Sequence, residues 1–352
     1  MKDTILFTFY FFICAGLGYA TLNRYDPLDL QALSDFVQYE NIIRNGFVQG
    51  GTIEPNVGSR ILIPYLAHLL YSLSIPLGTW NMVNFSFLII NAFFTSATAL
   101  LIYKFSYQLC SLKHVSHVAS LLFLLNFFVA NSYLSGSIDS GYGFLLLLLT
   151  YALYKRRWIF LPLLGFIGCI TKEVFWPVGS SIVVGFLAYE YIRSRKIIPI
   201  NLFYLLLFTL VSFSTILFCN YLQTGTVFLP WALIETLLMS TGGIFSQEPD
   251  LPGQVPWSVF AISLAKFFLT LGPLICLGVF SIRKVPENLL LANAFAWVTV
   301  IVLAMAIGAN GTDYARFMFS SGAFVLCFSS AITIFSKLEP SFSQESDRTN
   351  HP

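Results

Sequence analysis

Charge is what this 352-residue chain has least of: Asp, Glu, Lys and Arg make up 10% of it, against 57% hydrophobic residues and a mean hydropathy of +0.75. So little charge excludes a surface that lies mostly in water, and with it an ordinary soluble globular protein. Nor is there an excess of one sign. The net charge of +2 is too small to act as an electrostatic footprint for nucleic acid. The six cysteines (Cys14, Cys110, Cys169, Cys219, Cys276 and Cys327) stand singly, mostly inside apolar runs, with no Cys-x-x-Cys spacing. They read as small buried hydrophobes rather than as disulfide partners or metal ligands. Four histidines without a His-Glu-x-x-His spacing argue against a zinc enzyme. No internal repeat is visible, so the inverted-repeat signature of secondary transporters is missing as well.

What the chain does have is long apolar runs. Segments at about 4–22, 80–103, 115–134, 138–154, 158–171, 174–192, 199–221, 257–281, 288–308 and 313–335 are expected to cross a membrane. The fold class that follows is all-α, a polytopic transmembrane helix bundle of about ten spans. Residues 1–340 form a single domain, and a polar tail over 341–352 is expected to be a disordered cytoplasmic extension. Lys2 and the small residues near Ala20 imitate a signal peptide, but the run of about 19 residues is long enough to remain as an uncleaved first span.

Threading the chain through a bilayer in this way sorts its charges. Thirteen of the 19 Lys and Arg, among them Lys104, Lys155, Arg156, Arg157, Arg193 and Lys284, fall on one side. Eleven of the 17 Asp and Glu fall on the other. The positive-inside rule makes the basic side cytoplasmic and puts both termini there. The expected location is a bacterial cytoplasmic (inner) membrane. Two outer segments, 23–79 and 222–256, are too long to be mere turns. The apolar stretch 61–78 is expected to lie in the interface or to dip in and return, because a crossing there would invert every later connector.

The outer side gathers the residues that could carry chemistry. Leu33, Phe36, Val37, Tyr39 and Ile43 recur at helical spacing ahead of Gly46, which predicts an amphipathic helix on the outer surface. Asp35 and Tyr39 lie one turn apart on it; Asp35, following Ser34, also suits the positive end of a helix dipole. Arg60 opens the apolar stretch, where it either snorkels to headgroups or holds a phosphate in its planar fork. Asp139 stands at the start of the fourth span, as a helix cap or a ligand-positioning acid. Lys172 and Glu173 end the short fifth span, either as a mutually neutralised pair or as functional charges near hydrocarbon. Arg316 opens the last span.

In order and sidedness this series resembles the GT-C superfamily of polytopic glycosyltransferases. It shares an Asp followed four residues on by Tyr (Asp35, Tyr39), Arg-Ile-Leu-Ile-Pro (Arg60 to Pro64), Asp139, Lys172-Glu173 and Tyr314-Ala315-Arg316. It departs from the pattern at Arg316-Phe317, where members often carry Arg-Tyr, and in having no soluble outer domain. The resemblance implies a sugar transferase that uses a polyprenyl-phosphate sugar donor at the outer face, with a glycan, lipid or protein hydroxyl as acceptor and membrane lipid around it. It implies Asp35 as the catalytic base. Arg60, Lys172 and Arg316 would hold phosphate, Glu173 would orient Lys172, Asp139 would position the acceptor or help bind a cation, and Tyr39 would line the site. No cofactor is assigned; a divalent cation is left open, with Asp26 and Asp29 as the one close outer acid pair, at an unspecific spacing. Two other readings stay open: a lipid or solute transporter or flippase, and a non-catalytic membrane subunit built on the same pattern.

The topology is directly testable. In a background without native cysteines, single cysteines at Ser246 and Arg157 are expected to react with an impermeant thiol reagent from opposite sides of the membrane. Reaction of both from one side would overturn the ten-span arrangement.

Overall fold

The computed structural model describes residues 2–19, 34–46, 60–73, 81–134, 136–196, 198–225, 265, 267–306 and 311–338. Of these, 89% are helical, and there is no strand among them. In chain order the helices are α1 (Lys2–Tyr19), α2 (Ser34–Asn45), α3 (Leu62–Leu73), α4 (Met82–Cys110), α5 (Lys113–Leu124), α6 (Asp139–Tyr154), α7 (Leu161–Thr171), α8 (Phe175–Ser194), α9 (Pro199–Thr224), α10 (Gly272–Val279), α11 (Glu287–Ala306) and α12 (Gly311–Leu338). Among the described residues, four stretches are long and apolar enough to cross a membrane: Met82–Cys110, Phe175–Ser194, Pro199–Leu222 and Ala315–Ser336. Such helices fit an integral membrane protein.

Local chemistry sets the helix limits. Asn81 caps α4, its side chain accepting from the Val83 N–H at 3.0 Å, and the helix ends at Ser111 in the left-handed region. Its 29 residues rise about 44 Å, more than a hydrocarbon core requires. The 12 described residues of α3 rise about 18 Å, short of a hydrocarbon core. Helix α2 ends where its glycine predicts: Gly46 has φ +71° and its N–H returns to Ile42 O at 2.8 Å.

α6 is the axis of the bundle, packed against α4, α7, α8 and α12. It is buried along most of its length, from Asp139 through Tyr142 and Leu145 to Leu153. α12 is also largely internal and is tied to α10 by hydroxyls: Ser330 donates to Leu274 O at 2.9 Å and Thr333 to Leu277 O at 2.8 Å. Where lipid tails are as apolar as leucine, such bonds and close backbone approach hold helices together. α9, by contrast, exposes Leu202, Phe203, Leu206, Leu210 and Phe218.

Two expected spans differ in form. The run 115–134 is broken. α5 stops at Leu124, and Asn126 donates to Thr270 O at 2.9 Å while its own oxygen accepts from the Phe128 N–H. A π turn over Val129–Tyr133 follows. Within 257–281, the described residues show a turn at Leu271 before α10. Of the cysteines, Cys110 is half-buried and Cys276 exposed, while the other four are buried as expected. Residues 226–256, 341–352, Asp26 and Asp29 lie outside the described residues.

α8 and α11 meet at Gly185, where a Cβ would lie 2.5 Å from Ala292 Cα and 3.0 Å from its N. Those are backbone atoms, so a side chain cannot be absorbed by a rotamer change. Gly185→Val is expected to push the two helices apart and lower stability by about 1–3 kcal/mol, read as a lower melting temperature of the purified protein in detergent.

Candidate functional site

Four helix ends converge: the starts of α6, α8 and α12 and the end of α7. The link between α7 and α8 is three residues long, and its first residue, Lys172, is extended (φ −161°, ψ 130°). Successive side chains on extended backbone point to opposite sides. Lys172 and Glu173 accordingly take different partners, which corrects the expectation that Glu173 orients Lys172.

Lys172 turns inward. Its Nζ donates to Asp139 Oδ1 at 2.6 Å and lies 4.5 Å from the Phe317 ring centre and 5.4 Å from that of Tyr142. Asp139, the first residue of α6, has no solvent exposure. Its other oxygen, Oδ2, accepts from Ser132 Oγ at 2.8 Å and Ser137 Oγ at 2.9 Å, and lies 3.3 Å from Arg316 Nε. The Asp139 N–H in turn meets Ser137 Oγ at 3.3 Å, which ties the start of α6 to the preceding turn.

Glu173 turns toward Arg60. Arg60 Nη2 donates to Glu173 Oε1 at 2.6 Å and Nε to Oε2 at 3.0 Å, a two-point fork. The main chain repeats the tie, since Ile61 N–H donates to Ile170 O at 2.9 Å. Arg60 Nη1 also donates to Tyr39 Oη at 3.3 Å, which brings α2 to the site. Tyr39 is buried beside Phe87. α2 is seated further by the His68 ring, whose Nδ1 lies 2.8 Å from Ile43 O. The Phe36 ring covers Gly136, where a Cβ would lie 3.1 Å from it.

The structure thus brings six of the seven predicted residues together: Tyr39, Arg60, Asp139, Lys172, Glu173 and Arg316. For Asp35 the backbone lies in the first turn of α2; its side chain is outside the described residues. Sequence reasoning assigned no role to Ser132, Ser137, Tyr142 or Phe317. Ser137, two residues before a helix-start acid, carried a readable capping signal; Ser132, seven residues before it across the π turn, carried none.

Three cations and two acids among these six give the cluster a formal charge of +1 (3 − 2). Accessibility divides it. The Arg316 and Arg60 side chains are 29% and 14% exposed, against 4% for Lys172 and none for Asp139. The cluster therefore has a buried, neutralised floor and a cationic rim. Burial pushes the Lys172 ammonium below its ordinary range, Asp139 pulls it back up, and Arg316 and Arg60 push it down again. For Glu173, burial acts to raise the carboxyl, but the Arg60 guanidinium, with the Lys172 charge adding to it, holds it below the ordinary value of 4.5. Among the described residues no three His, Cys, Asp or Glu gather into a metal-binding group.

Comparison of the chain with protein-family models, with curated proteins and with solved structures finds no match in any of the three.

The depressed Glu173 carboxyl sets a pH dependence. A carboxylate whose pKa is lower in the folded state adds stability that is fully present above the unfolded value and is lost as pH falls through the folded one. Wild type is therefore expected to melt at a higher temperature than Glu173→Gln at pH 7, and the two curves should converge as pH drops below about 4.5. A difference that stays constant down to pH 3 would remove the Arg60–Glu173 pair as its cause.

Proposed function

We propose that this protein is a membrane glycosyltransferase of the GT-C type. It moves a sugar from a polyprenyl-phosphate donor to an acceptor hydroxyl at the non-cytoplasmic face of a bacterial inner membrane, in a chain of about ten spans with both termini in the cytoplasm. The observation that carries the reading is the gathering of Tyr39, Arg60, Asp139, Lys172, Glu173 and Arg316, spread over nearly 280 residues of sequence, around one partly exposed cationic rim. The basic residues support the sidedness: Lys155–Arg157 follow the far end of α6, and Arg193, Arg195 and Lys196 cluster at the far end of α8.

The chemistry requires a base at the acceptor and cations at the leaving group. The acceptor oxygen loses its proton to a carboxylate and bonds to the anomeric carbon. The bond from that carbon to the phosphate oxygen breaks, and the electron pair leaves with the polyprenyl phosphate. The growing charge on the phosphate is what Arg60 and Arg316, at the rim, are suited to steady. Asp139 and Glu173 are weak candidates for the base, because both are held as anions by adjacent cations. Asp35 remains the candidate, on the helix that Tyr39 ties to Arg60. A polyprenyl chain in lipid beside a phosphate at the bundle end also suits cations that sit at the ends of apolar helices.

The test is transfer from labelled polyprenyl-phosphate hexoses and pentoses by the purified protein in liposomes, counting release to any acceptor, water included. Asp35→Asn keeps the size of the side chain but cannot take the proton, so turnover is expected to fall by roughly 10²–10⁴-fold with donor binding little changed. If no donor in the panel is consumed, or if Asp35→Asn, Arg60→Ala and Arg316→Ala all work as wild type does, the reading gives way to the transporter or subunit alternatives.

A further inference from the structure

The three cations of the cluster are not equivalent, and Asp139 shows why. Without Arg316 its carboxylate would still have every need met: Oδ1 takes Lys172 at 2.6 Å, and Oδ2 takes two serine hydroxyls at 2.8 and 2.9 Å. Arg316 Nε approaches the already doubly bonded Oδ2 from the longer distance of 3.3 Å. Lys172 has no such latitude. It is 4% exposed and lies under the Tyr142 and Phe317 rings, so leaving Asp139 would strand its ammonium in a low dielectric. Arg60 is held by both oxygens of Glu173.

We propose that Arg316 is an exchangeable cation: an arriving phosphate draws its guanidinium away from Asp139 Oδ2, while Lys172 stays on Oδ1 as the fixed counter-ion and does not meet the phosphate. The proposal rests on the donor reading above for the identity of the anion. Three features favour the exchange. Arg316 has the most exposed side chain of the three cations, at 29%. Two cations on one carboxylate repel each other, so transfer of one to a new anion relieves Lys172. The Phe317 ring, 5.2 Å from the Arg316 guanidinium, offers a π face along which that group can shift while remaining partly stabilised. Ser132 and Ser137 are then positioning residues: by keeping Oδ2 bonded, they let Arg316 leave.

The experiment uses the full chain in detergent with farnesyl phosphate as the probe and farnesol as the control without phosphate, binding being followed by calorimetry. Wild type is expected to prefer farnesyl phosphate. Arg316→Ala should weaken that binding about tenfold or more, the scale of one lost charge-assisted hydrogen bond, and Arg316→Lys should recover part of it. Ser132→Ala removes one donor from Oδ2, so Asp139 should grip Arg316 more firmly and the probe should bind severalfold more weakly. In the Arg316→Ala background Ser132→Ala should change nothing further, because the residue through which it acts is gone. Ser137→Ala replaces Ser132→Ala if the latter fails to fold, and the Arg316 variants, altered at a partly exposed side chain, are decisive alone. An unchanged preference in Arg316→Ala would overturn the exchange and leave the donor reading standing with the phosphate elsewhere. Equal serine effects in both backgrounds would overturn it too, as a general effect on the fold. If wild type does not distinguish farnesyl phosphate from farnesol, both the exchange and the donor reading fall.

Discussion

A carboxylate without solvent, Asp139, sits where four helix ends meet, and the neighbouring structure is arranged to keep it charged. Removing one partner from a buried ion pair typically destabilises a protein by about 3–5 kcal/mol, because the remaining charge has neither water nor a counter-ion. Asp139 accordingly draws on three stretches of chain for its partners: the segment from the π turn to α6 for two hydroxyls, the α7–α8 link for Lys172, and α12 for Arg316. The residue after it extends the tie to a fourth, since Ser140 donates to Asn91 Oδ1 of α4 at 2.5 Å. These contacts fix the relative heights of the helices at this end of the bundle. The rim above inherits its geometry from that floor.

The link between α7 and α8 converts this anchoring into a site. Lys172 faces the floor and Glu173 faces Arg60, so one short connector joins the buried pair to the segment that enters α3. Tyr39 then couples Arg60 to α2. The helix whose first turn carries Asp35 is thus held from two directions, by the Arg60–Tyr39 contact and by His68 beneath its last turn. Residues mounted on short helices against a packed core can be held to tighter geometry than residues on loops.

Much of this was legible in the sequence where the controlling interaction is local. The limits of α6, α7, α8 and α9 follow the apolar runs to within a few residues, and Gly46 ends α2 as a glycine in the left-handed region does. What escaped was non-local. The break after α5 depends on Asn126 finding the carbonyl of Thr270, 144 residues away, and nothing in the run 115–134 announces it. The neighbours Lys172 and Glu173 look like a self-contained pair, yet their partners lie 33 and 113 residues off, because backbone direction, not adjacency, decides which charges meet. Ser132, inside the π turn, reaches Asp139 across seven residues of irregular chain that no periodicity marks. The order of charged residues along the chain carried the six members of the cluster; their pairing was written in the packing.

The contact between Arg316 and Asp139 has a consequence for how this site can vary. An isolated buried pair has no inherent polarity: acid and base can trade places and the Coulomb energy is the same. Here a third charge breaks that symmetry. With lysine at 139 and an acid at 172, the position next to Arg316 would carry a cation, the serine hydroxyls would face an ammonium they can serve only as acceptors, and the attraction now at 3.3 Å would become a repulsion. The acid is therefore confined to the head of α6 and the base to the end of α7. Exchange between them would demand simultaneous change at 316, so the sign pattern of the cluster is fixed as a unit of three rather than as two.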